Sequence, residues 1–581
     1  MTNREIADLF ERIGDMLAIR GDNVHRIAAY RRAAESIRGL SRDIKAIASE
    51  GELTSIPGIG ETLAEKIQEI LDTGSLKFYE KLSQEIPPSL IELMRVEGLG
   101  PKRTKTLFEQ LGVTTLDELK EVVEKGQLSE LSGFGARTEE NILKGLQALE
   151  RHGDDRTPLG VALPVAQEIL EMLRALPQVS QAALGGSLRR SRETIGDVDL
   201  LAAAEDEDAS EVMEAFATMP QVESVIVRGP SKTTVQLHNG MQVDLRVLPP
   251  KRWGTALSYF TGNKEHNVRL REMALKKGLS LNEHAFRPMV DGEPTTEGEI
   301  TCATEEEVYD VLDLPYIAPR LRQDRGEIEA AQRGELPDLV QLEDIKGDLH
   351  VHSTWSDGHL SIMEMALAAR GHGYRYMAIT DHSAGLGIAN GLTVERLMAQ
   401  AKEVEEANRE LGSDFVILHG TEMEIKADAT LDFPDAVLAQ LDFVIASLHV
   451  SLSQPREQVT ARAIAAIQNP NVDMLGHPTG RLLPDRAGAD LDIEAVLEAA
   501  RDTGTILEIN GNPHRLDLRD THVRRAVEMG VLLAIDTDAH SAADLDLMQF
   551  GVAVAQRGWA TSERVVNTWP IERLRSHLSR N

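Results

Sequence analysis

The chain has 581 residues and a formal net charge of −32, from 62 Lys and Arg against 94 Asp and Glu, a length that exceeds one core and predicts three to five domains. Hydrophobic residues at 42% and charged residues at 27% exclude wholesale disorder, and no run of about 18 apolar residues exists to cross a membrane. The charged, amphipathic start MTNREIADLF does not read as a secretory signal, and the one cysteine, Cys302, can form neither an intramolecular disulfide nor a thiolate zinc site. A reducing cytoplasm is therefore expected, and the −32, taken alone, weighs against a nucleic-acid partner.

Charge and histidine are unevenly spread. Residues 1–320 hold 38 basic and 53 acidic side chains, and residues 321–581 hold 24 and 41. The first 50 residues are nearly neutral, 9 basic against 8 acidic, so this end repels a polyanion least. Histidine goes the other way, with 12 of 17 at or beyond His350, and such clustering points to metal ligation or proton transfer.

Three early segments share one pattern: SIPGIGETLAEKI from Ser55, VEGLGPKRTKTL from Val96 and LSGFGARTEENI from Leu131. Each reads apolar-x-Gly-apolar-Gly and then turns helical. The first glycines, Gly58, Gly98 and Gly133, suit a turn with positive φ. The second, Gly60, Gly100 and Gly135, let a partner approach the backbone where the next helix begins, and the free N–H groups there suit a DNA phosphate. The three copies resemble helix-hairpin-helix motifs, which bind DNA without reading its sequence.

Next comes AALGGSLRRSRETIGDVDLLAAA from Ala182. A strand, the turn Gly185-Gly186-Ser187 and a helix start would present amides to a triphosphate, with the arginines that follow adding charge. Asp197-Val198-Asp199-Leu200-Leu201 reads as a strand with both carboxylates on one face, an arrangement that is costly without a divalent cation. Asn239-Gly240 predicts a hairpin whose returning strand turns Asp244 and Arg246 away from Val243, Leu245 and Val247. Three carboxylates could hold two Mg²⁺ ions, one lowering the pKa of an attacking hydroxyl and one binding the leaving phosphates.

GGSLRR…GDVDLL, VDLRVLP and ALSYFTGNKEHN resemble the palm and thumb of a family X DNA polymerase, the family of DNA polymerase beta, over roughly residues 1–320. The resemblance implies that Asp197, Asp199 and Asp244 are the catalytic, metal-binding carboxylates. It implies Gly186, Ser187 and Arg190 at the triphosphate, and Tyr259, Phe260 and Gly262 lining a sugar pocket that disfavours ribose. Asn267 would contact the incoming nucleotide and Arg271 the template side. Lys264 replaces an acidic residue of the eukaryotic pattern, matches bacterial members and would reach the nucleotide base. The same family often carries a 5′-deoxyribose-phosphate lyase that works through a lysine Schiff base. Lys66 aligns with that nucleophile, and His25, Arg26 and Tyr30 with its pocket. Arg26 and Thr62 stand where the family has lysines, and threonine removes a charge.

From Gly347 a different pattern repeats. Apolar runs end in potential ligands: GDLHVHS, RYMAITDH, FVILHGTEMEI, DFVIASLHVS, VDMLGHP, TILEINGN and LLAIDTDAH. Helical stretches separate most of them, which predicts a parallel sheet or barrel with its chemistry at the C-terminal strand ends. The candidate ligands are His350, His352, Asp357, His382, Glu422, His449, His477, Asp538 and His540. Imidazole with carboxylate suits Zn²⁺, Mn²⁺ or Fe²⁺, and nine ligands suit two or three ions. This half resembles the PHP (polymerase and histidinol phosphatase) domain, a distorted seven-stranded barrel with a trinuclear metal site. Asp357 stands at a position that is His in some members. Asp348, Asp381 and Asn510 are candidate supports of the ligands, with Asp536 and Glu424 either supports or structural.

The reading is a multidomain chain: helical helix-hairpin-helix domains at 1–90 (lyase-like) and 91–150 (fingers-like), an α+β nucleotidyltransferase palm at 151–255, a thumb at 256–320, a linker at 321–344 whose interior reads as an exposed helix, and an α/β (β/α)₇ PHP barrel at 345–581. The expected activities are gap-filling DNA synthesis in base excision repair and 3′–5′ exonuclease, with abasic-site endonuclease and lyase as further candidates. Mg²⁺ or Mn²⁺ would serve the first site. Gapped or primer-template DNA and dNTPs are the expected partners, with no membrane, a monomer and a bacterial cytoplasm as setting. The rival reading keeps a PHP nuclease or phosphatase active and reduces the polymerase half to DNA binding.

Overall fold

The structure is a computed structural model that describes the chain apart from residues 2, 41–43, 57, 95, 97–98, 126–127, 129–130, 132–133, 135–141, 143–155, 230–231 and 579–581. It divides into two compact units. The first comprises Met1–Thr157, Val161–Gly185 and Thr194–Trp253, and the second Pro158–Gly160, Gly186–Glu193 and Gly254–Asn581.

The first unit opens with helices Asn3–Arg20 and Val24–Gly39. Ile6, Phe10, Ile13 and Leu17 recur three or four residues apart, as a helix buried on one face requires, and all four are buried. Two copies of the repeated hairpin fall on described residues apart from Pro57, Glu97 and Gly98. Gly58 has φ +80, and Gly60 precedes helix Glu61–Thr73 with open space where a side chain would stand. Gly100 precedes helix Pro101–Leu111 in the same way. The apolar positions Ile56, Ile59, Val96 and Leu99 are buried. Gly98, Gly133 and Gly135 lie outside the described residues.

The palm carries a five-stranded mixed sheet. Its strands are β1 (Gln181–Leu184), β2 (Val198–Ala203), β3 (Val222–Arg228), β4 (Lys232–Leu237) and β5 (Gln242–Leu248). The order is β1-β2-β5-β4-β3, and only the central β2–β5 pair is parallel. The hairpin predicted at Asn239-Gly240 joins β4 to β5, with Gly240 at φ +84. Central placement buries Leu200, Leu201, Val243 and Leu245, and it sets Asp199 level with Asp244 across the parallel pair.

The second unit contains the thumb and the barrel. Helices Lys264–Lys276 and Glu305–Val311 and a three-stranded antiparallel sheet pack on Leu270, Phe286, Val308 and Tyr309. At Gly254 a Cβ would stand 2.0 Å from the Thr304 carbonyl oxygen, so only glycine lets the two backbones meet there. The exposed linker helix expected within 321–344 needs correction. Helix Glu327–Arg333 forms, but Glu327, Ile328, Ala330 and Ala331 are buried and join the thumb core. The carboxylate of Glu327 is accommodated by His266, whose Nδ1 lies 2.8 Å away, and by the N–H groups of Asp324 and Arg325.

Seven parallel strands follow in chain order: β6 (Gly347–Val351), β7 (Tyr376–Ile379), β8 (Val416–Glu424), β9 (Phe443–Ser447), β10 (Met474–Gly476), β11 (Ile506–Asn510) and β12 (Leu533–Asp536). Their inward residues, Leu349, Ala378, Leu418, Ile445, Met474, Ile506 and Ala534 among them, form a continuous apolar core. Just past the strand ends the first and last meet: Val351 bridges Ala539, and the His352 N–H donates to the Ala539 carbonyl at 2.8 Å. The sheet is thus a nearly closed barrel. Among the described residues, no helix is long and apolar enough to cross a membrane.

Candidate metal centres

In the first unit, ligand atoms of Asp197, Asp199 and Asp244 lie within 4.8 Å of one another. The level pairing of β2 with β5 puts Asp199 beside Asp244, and Asp197, just before β2, joins them. Asp244 is buried and Asp197 exposed. Burial first, then the charges of Asp197 and Asp244, push Asp199 up to about 7. The ammonium of Lys232 on β4 forms an ion pair with Asp244. Lys232 has no part in the sequence reading, because only the pairing of β4 with β5 brings it to Asp244. A divalent cation suits this donor set: three carboxylates converge, and the charges of two push up the third.

The turn Gly186–Glu193 belongs to the second unit. Gly186 has φ +53 and opens the short helix Gly186–Arg189. The turn closes on itself through the Arg190 N–H to the Gly186 carbonyl at 3.3 Å and the Arg192 N–H to the Ser187 carbonyl at 3.0 Å. Arg189 is not a spare charge, as expected from sequence, because its guanidinium grips the Glu305 carboxylate at 2.6 and 3.0 Å. Arg190 donates to the carbonyl of Thr261, beside Gly262, which has φ +69. Tyr259 and Phe260 meet edge to face at 5.2 Å. Tyr259, Asn267 and Arg271 line one small pocket with Thr255, Ser258 and Leu270, and Asn267 donates to the Tyr259 carbonyl at 2.6 Å. Lys264 begins the helix that carries Asn267 and Arg271.

In the helical domain Lys66, Arg26 and Tyr30 share one aromatic floor. The Lys66 ammonium stands 4.8 Å and the Arg26 guanidinium 4.9 Å from the centroid of Phe78, and Tyr30 stacks on the same ring. Burial pushes Tyr30 up to about 12, against the pull of Arg26. His25 is exposed at the start of its helix.

All nine barrel residues converge. They stand at or just beyond the C-terminal strand ends, where a parallel barrel opens its loops. Three overlapping groups have ligand atoms within 4.8 Å: His352, Asp357, His382 and His540; His350, His352, Glu422 and Asp538; and His382, Glu422 and His449. His477 joins them through Nε2, 2.9 Å from Glu422 Oε1. His477 at φ +24 and Asp538 at φ +56 hold strained backbone conformations.

The charges are mutually dependent. Against the burial that disfavours its charged form, Glu508, Asp538 and Glu422 hold His350 well above its ordinary range. Burial, then His382 and His540, push His352 down to about 3. His449 and His540 are both lifted to about 9 despite burial, the first chiefly by Glu422 and the second by Asp357 and Asp538. Asp357 falls to about 2, burial being outweighed by His540, His352 and His382. His350 Nε2, His352 Nδ1 and Glu422 Oε2 are buried and make no hydrogen bond. Orphaned imidazole and carboxylate atoms facing one another fit divalent cations.

The expected supports are in place. Asp381 accepts from Ser353, Ser356 and Gln400, Asp348 from Thr537 and the His350 N–H, and Asn510 donates to Asp538 at 3.3 Å. Glu424 fixes His449 Nδ1 at 2.7 Å, and Asp536 accepts from the Leu349 N–H. Two contributors escaped the sequence reading. Glu508 lies 2.6 Å from His350 Nδ1 and accepts from the His477 N–H, and Arg515 Nε approaches Asp538 at 3.4 Å.

Helical hairpins, a palm sheet bearing three carboxylates, a thumb and a barrel with nine convergent histidine and carboxylate side chains define a class: a family X DNA polymerase joined to a PHP domain. Family comparison matches the helical, thumb and barrel parts. Residues 1–76 match a helix-hairpin-helix domain, 90–148 a SAM-like helix-hairpin-helix tandem, 256–323 the DNA polymerase beta thumb and 348–512 the PHP domain. The chain is 40% identical over 583 aligned residues, all of both chains, to the DNA polymerase/3′-5′ exonuclease PolX of Bacillus subtilis, and it belongs to that family. It is also 27% identical to rat DNA polymerase lambda across 55% of this chain and 56% of the relative. A probable phosphatase of Thermoanaerobacter sp. (strain X514) is 32% identical across 38% of this chain and 89% of its own length. The PHP match ends before Asp538 and His540, which the Bacillus alignment covers.

Proposed function

We propose that the chain extends the 3′ end of DNA at a gap and trims 3′ ends, at two separate sites. The observation that carries this is the presence of two clusters of candidate ligands, one carboxylate triad and one group of eight barrel residues that His477 joins through Glu422. In synthesis, the primer 3′-oxygen bonds to the α-phosphorus of a dNTP, pyrophosphate leaves, and the hydroxyl proton is released. Asp197, Asp199 and Asp244 would hold Mg²⁺ or Mn²⁺, which neutralises developing charge on the phosphates. Ser187, Gly186 and Arg190 take the triphosphate, and Tyr259, Phe260 and Gly262 face the sugar. Lys264 and Asn267 contact the nucleotide, Arg271 the template side, and the helix starts at Gly60 and Gly100 the DNA backbone.

In trimming, water adds to the terminal phosphodiester and the bond to the 3′-oxygen breaks, releasing a nucleoside monophosphate. His350, His352, Asp357, His382, Glu422, His449, His477, Asp538 and His540 would hold two or three Zn²⁺, Mn²⁺ or Fe²⁺ ions. Glu508 and Glu424 orient two of those imidazoles. A short-gap role in base excision repair accords with the likeness to rat DNA polymerase lambda. Cleavage at abasic sites would use the same barrel centre. Lyase chemistry at Lys66 is favoured by the placement of its amine with Arg26 and Tyr30 around Phe78.

The test is a labelled, gapped duplex incubated with and without dNTPs, following extension and shortening together. Asp197→Ala should lower extension at least about 10³-fold and spare shortening, and His350→Ala should do the reverse. A single substitution that abolished both would refute two separate sites.

A further inference from the structure

The turn expected to hold the triphosphate is anchored by arginines that lie outside the palm. Glu193, at its end, receives a two-pronged ion pair from Arg481, with Nη2 to Oε1 at 2.7 Å and Nη1 to Oε2 at 3.2 Å. Arg481 is only 3% exposed, and its remaining N–H groups donate to the carbonyls of Arg515 and Leu516. Arg557, 2% exposed, donates to the Arg190 carbonyl at 2.9 Å while its other arm grips Asp520. Arg320 donates to the Ser191 hydroxyl at 3.2 Å and to Gln556. Ser191 itself sits at φ +51, a conformation that persists only where its surroundings impose it.

Arg481 belongs to the segment that leaves β10. His477 stands four residues before it, and the Gly480 N–H donates to the His477 carbonyl at 2.8 Å. One short stretch of barrel thus ends in a cluster ligand on one side and a clamp on the nucleotide turn on the other. A bidentate guanidinium–carboxylate pair fixes direction as well as distance, and burial of the arginine makes loss of the partner costly. A turn that presents amides to phosphate works only when held at the right angle.

We propose that Arg481 and Arg557 are positioning residues for the polymerase: the barrel holds the turn carrying Ser187 and Arg190 in the orientation that receives the dNTP. This rests on the reading of that turn as the triphosphate site. The deciding variant is Glu193→Gln, which removes the anchor's charge on the turn and alters no barrel residue. It is compared with Arg481→Gln, with the double variant and with Glu193→Asp, which keeps the charge. Steady-state extension of a gapped duplex should show the dNTP KM raised about tenfold in each glutamine variant with kcat within about twofold. The double variant should be no worse than either single one, and Glu193→Asp should recover most of the loss. Shortening of a single-stranded oligonucleotide by Glu193→Gln should match the parent. A dNTP KM within twofold of the parent, additive effects, or equal loss of extension and shortening overturns the proposal. Failure of the parent to extend at all would instead overturn the polymerase reading beneath it.

Discussion

Glu422 has five histidines around it: His350, His352, His382, His449 and His477 all bring a ring nitrogen within 3.6 Å of its carboxylate. Such a residue is legible from sequence because each neighbour ends an apolar run, and strand ends of a parallel barrel share one mouth. Glu508 was not legible. It sits inside a run, TILEINGN, that reads as plain strand, and its partner His350 lies 158 positions away. Lys232 was hidden in the same way, since only the pairing of β4 with β5 brings it to Asp244. Glu508→Gln keeps the shape but removes the charge behind the His350 imidazole and beside the His477 main chain. It should weaken metal retention by about 10–100-fold and lower shortening to match, leaving extension untouched. Metal titration of the purified variant and the gapped-duplex assay measure the two effects.

At the level of elements, strands were the easiest to read and the segment between thumb and barrel the hardest. Charged residues across 321–344 suggest solvent, yet Glu327 is buried because His266, 61 positions earlier, meets it. Nothing local announces that partner. Helix Asp520–Met529 carries a second case. Burial, then the charges of Arg519 and Arg481, push His522 down to about 4. The folded chain therefore keeps this ring neutral while the unfolded chain protonates it near its ordinary 6.5. Between those values the unfolded state binds more protons, so this contribution is complete above about 6.5 and is lost as pH falls toward about 4. His522→Gln should flatten the fall in stability across that window, by up to about 1.4 kcal/mol per pH unit. Urea denaturation of parent and variant at several pH values gives the difference directly.

For the whole molecule, a net charge of −32 and a DNA substrate are compatible because the sum conceals its distribution. Several acids belong to clusters that could hold cations, many arginines are consumed in internal pairs such as Arg189–Glu305, and helix starts offer neutral donors to phosphate. Affinity for gapped DNA should consequently be modest, and the logarithm of its binding constant should fall linearly with the logarithm of salt concentration. Fluorescence anisotropy across a salt series checks this, and tight binding indifferent to salt would contradict it. The closing contact of the barrel has a temporal side as well. Strands β6 and β12 each bring ligands to the centre, yet His350 and Asp538 are far apart in the order of synthesis. A ribosome adding about 5–20 residues per second delivers the second on the order of ten seconds or more after the first. During that interval the hairpins and the palm sheet are already available to fold, while the hydrolytic centre lacks its last ligands and the nucleotide turn lacks Arg557. In the reading proposed above, shortening therefore waits for β12, whereas a chain still lacking Arg557 already carries the palm carboxylates and would need only more dNTP.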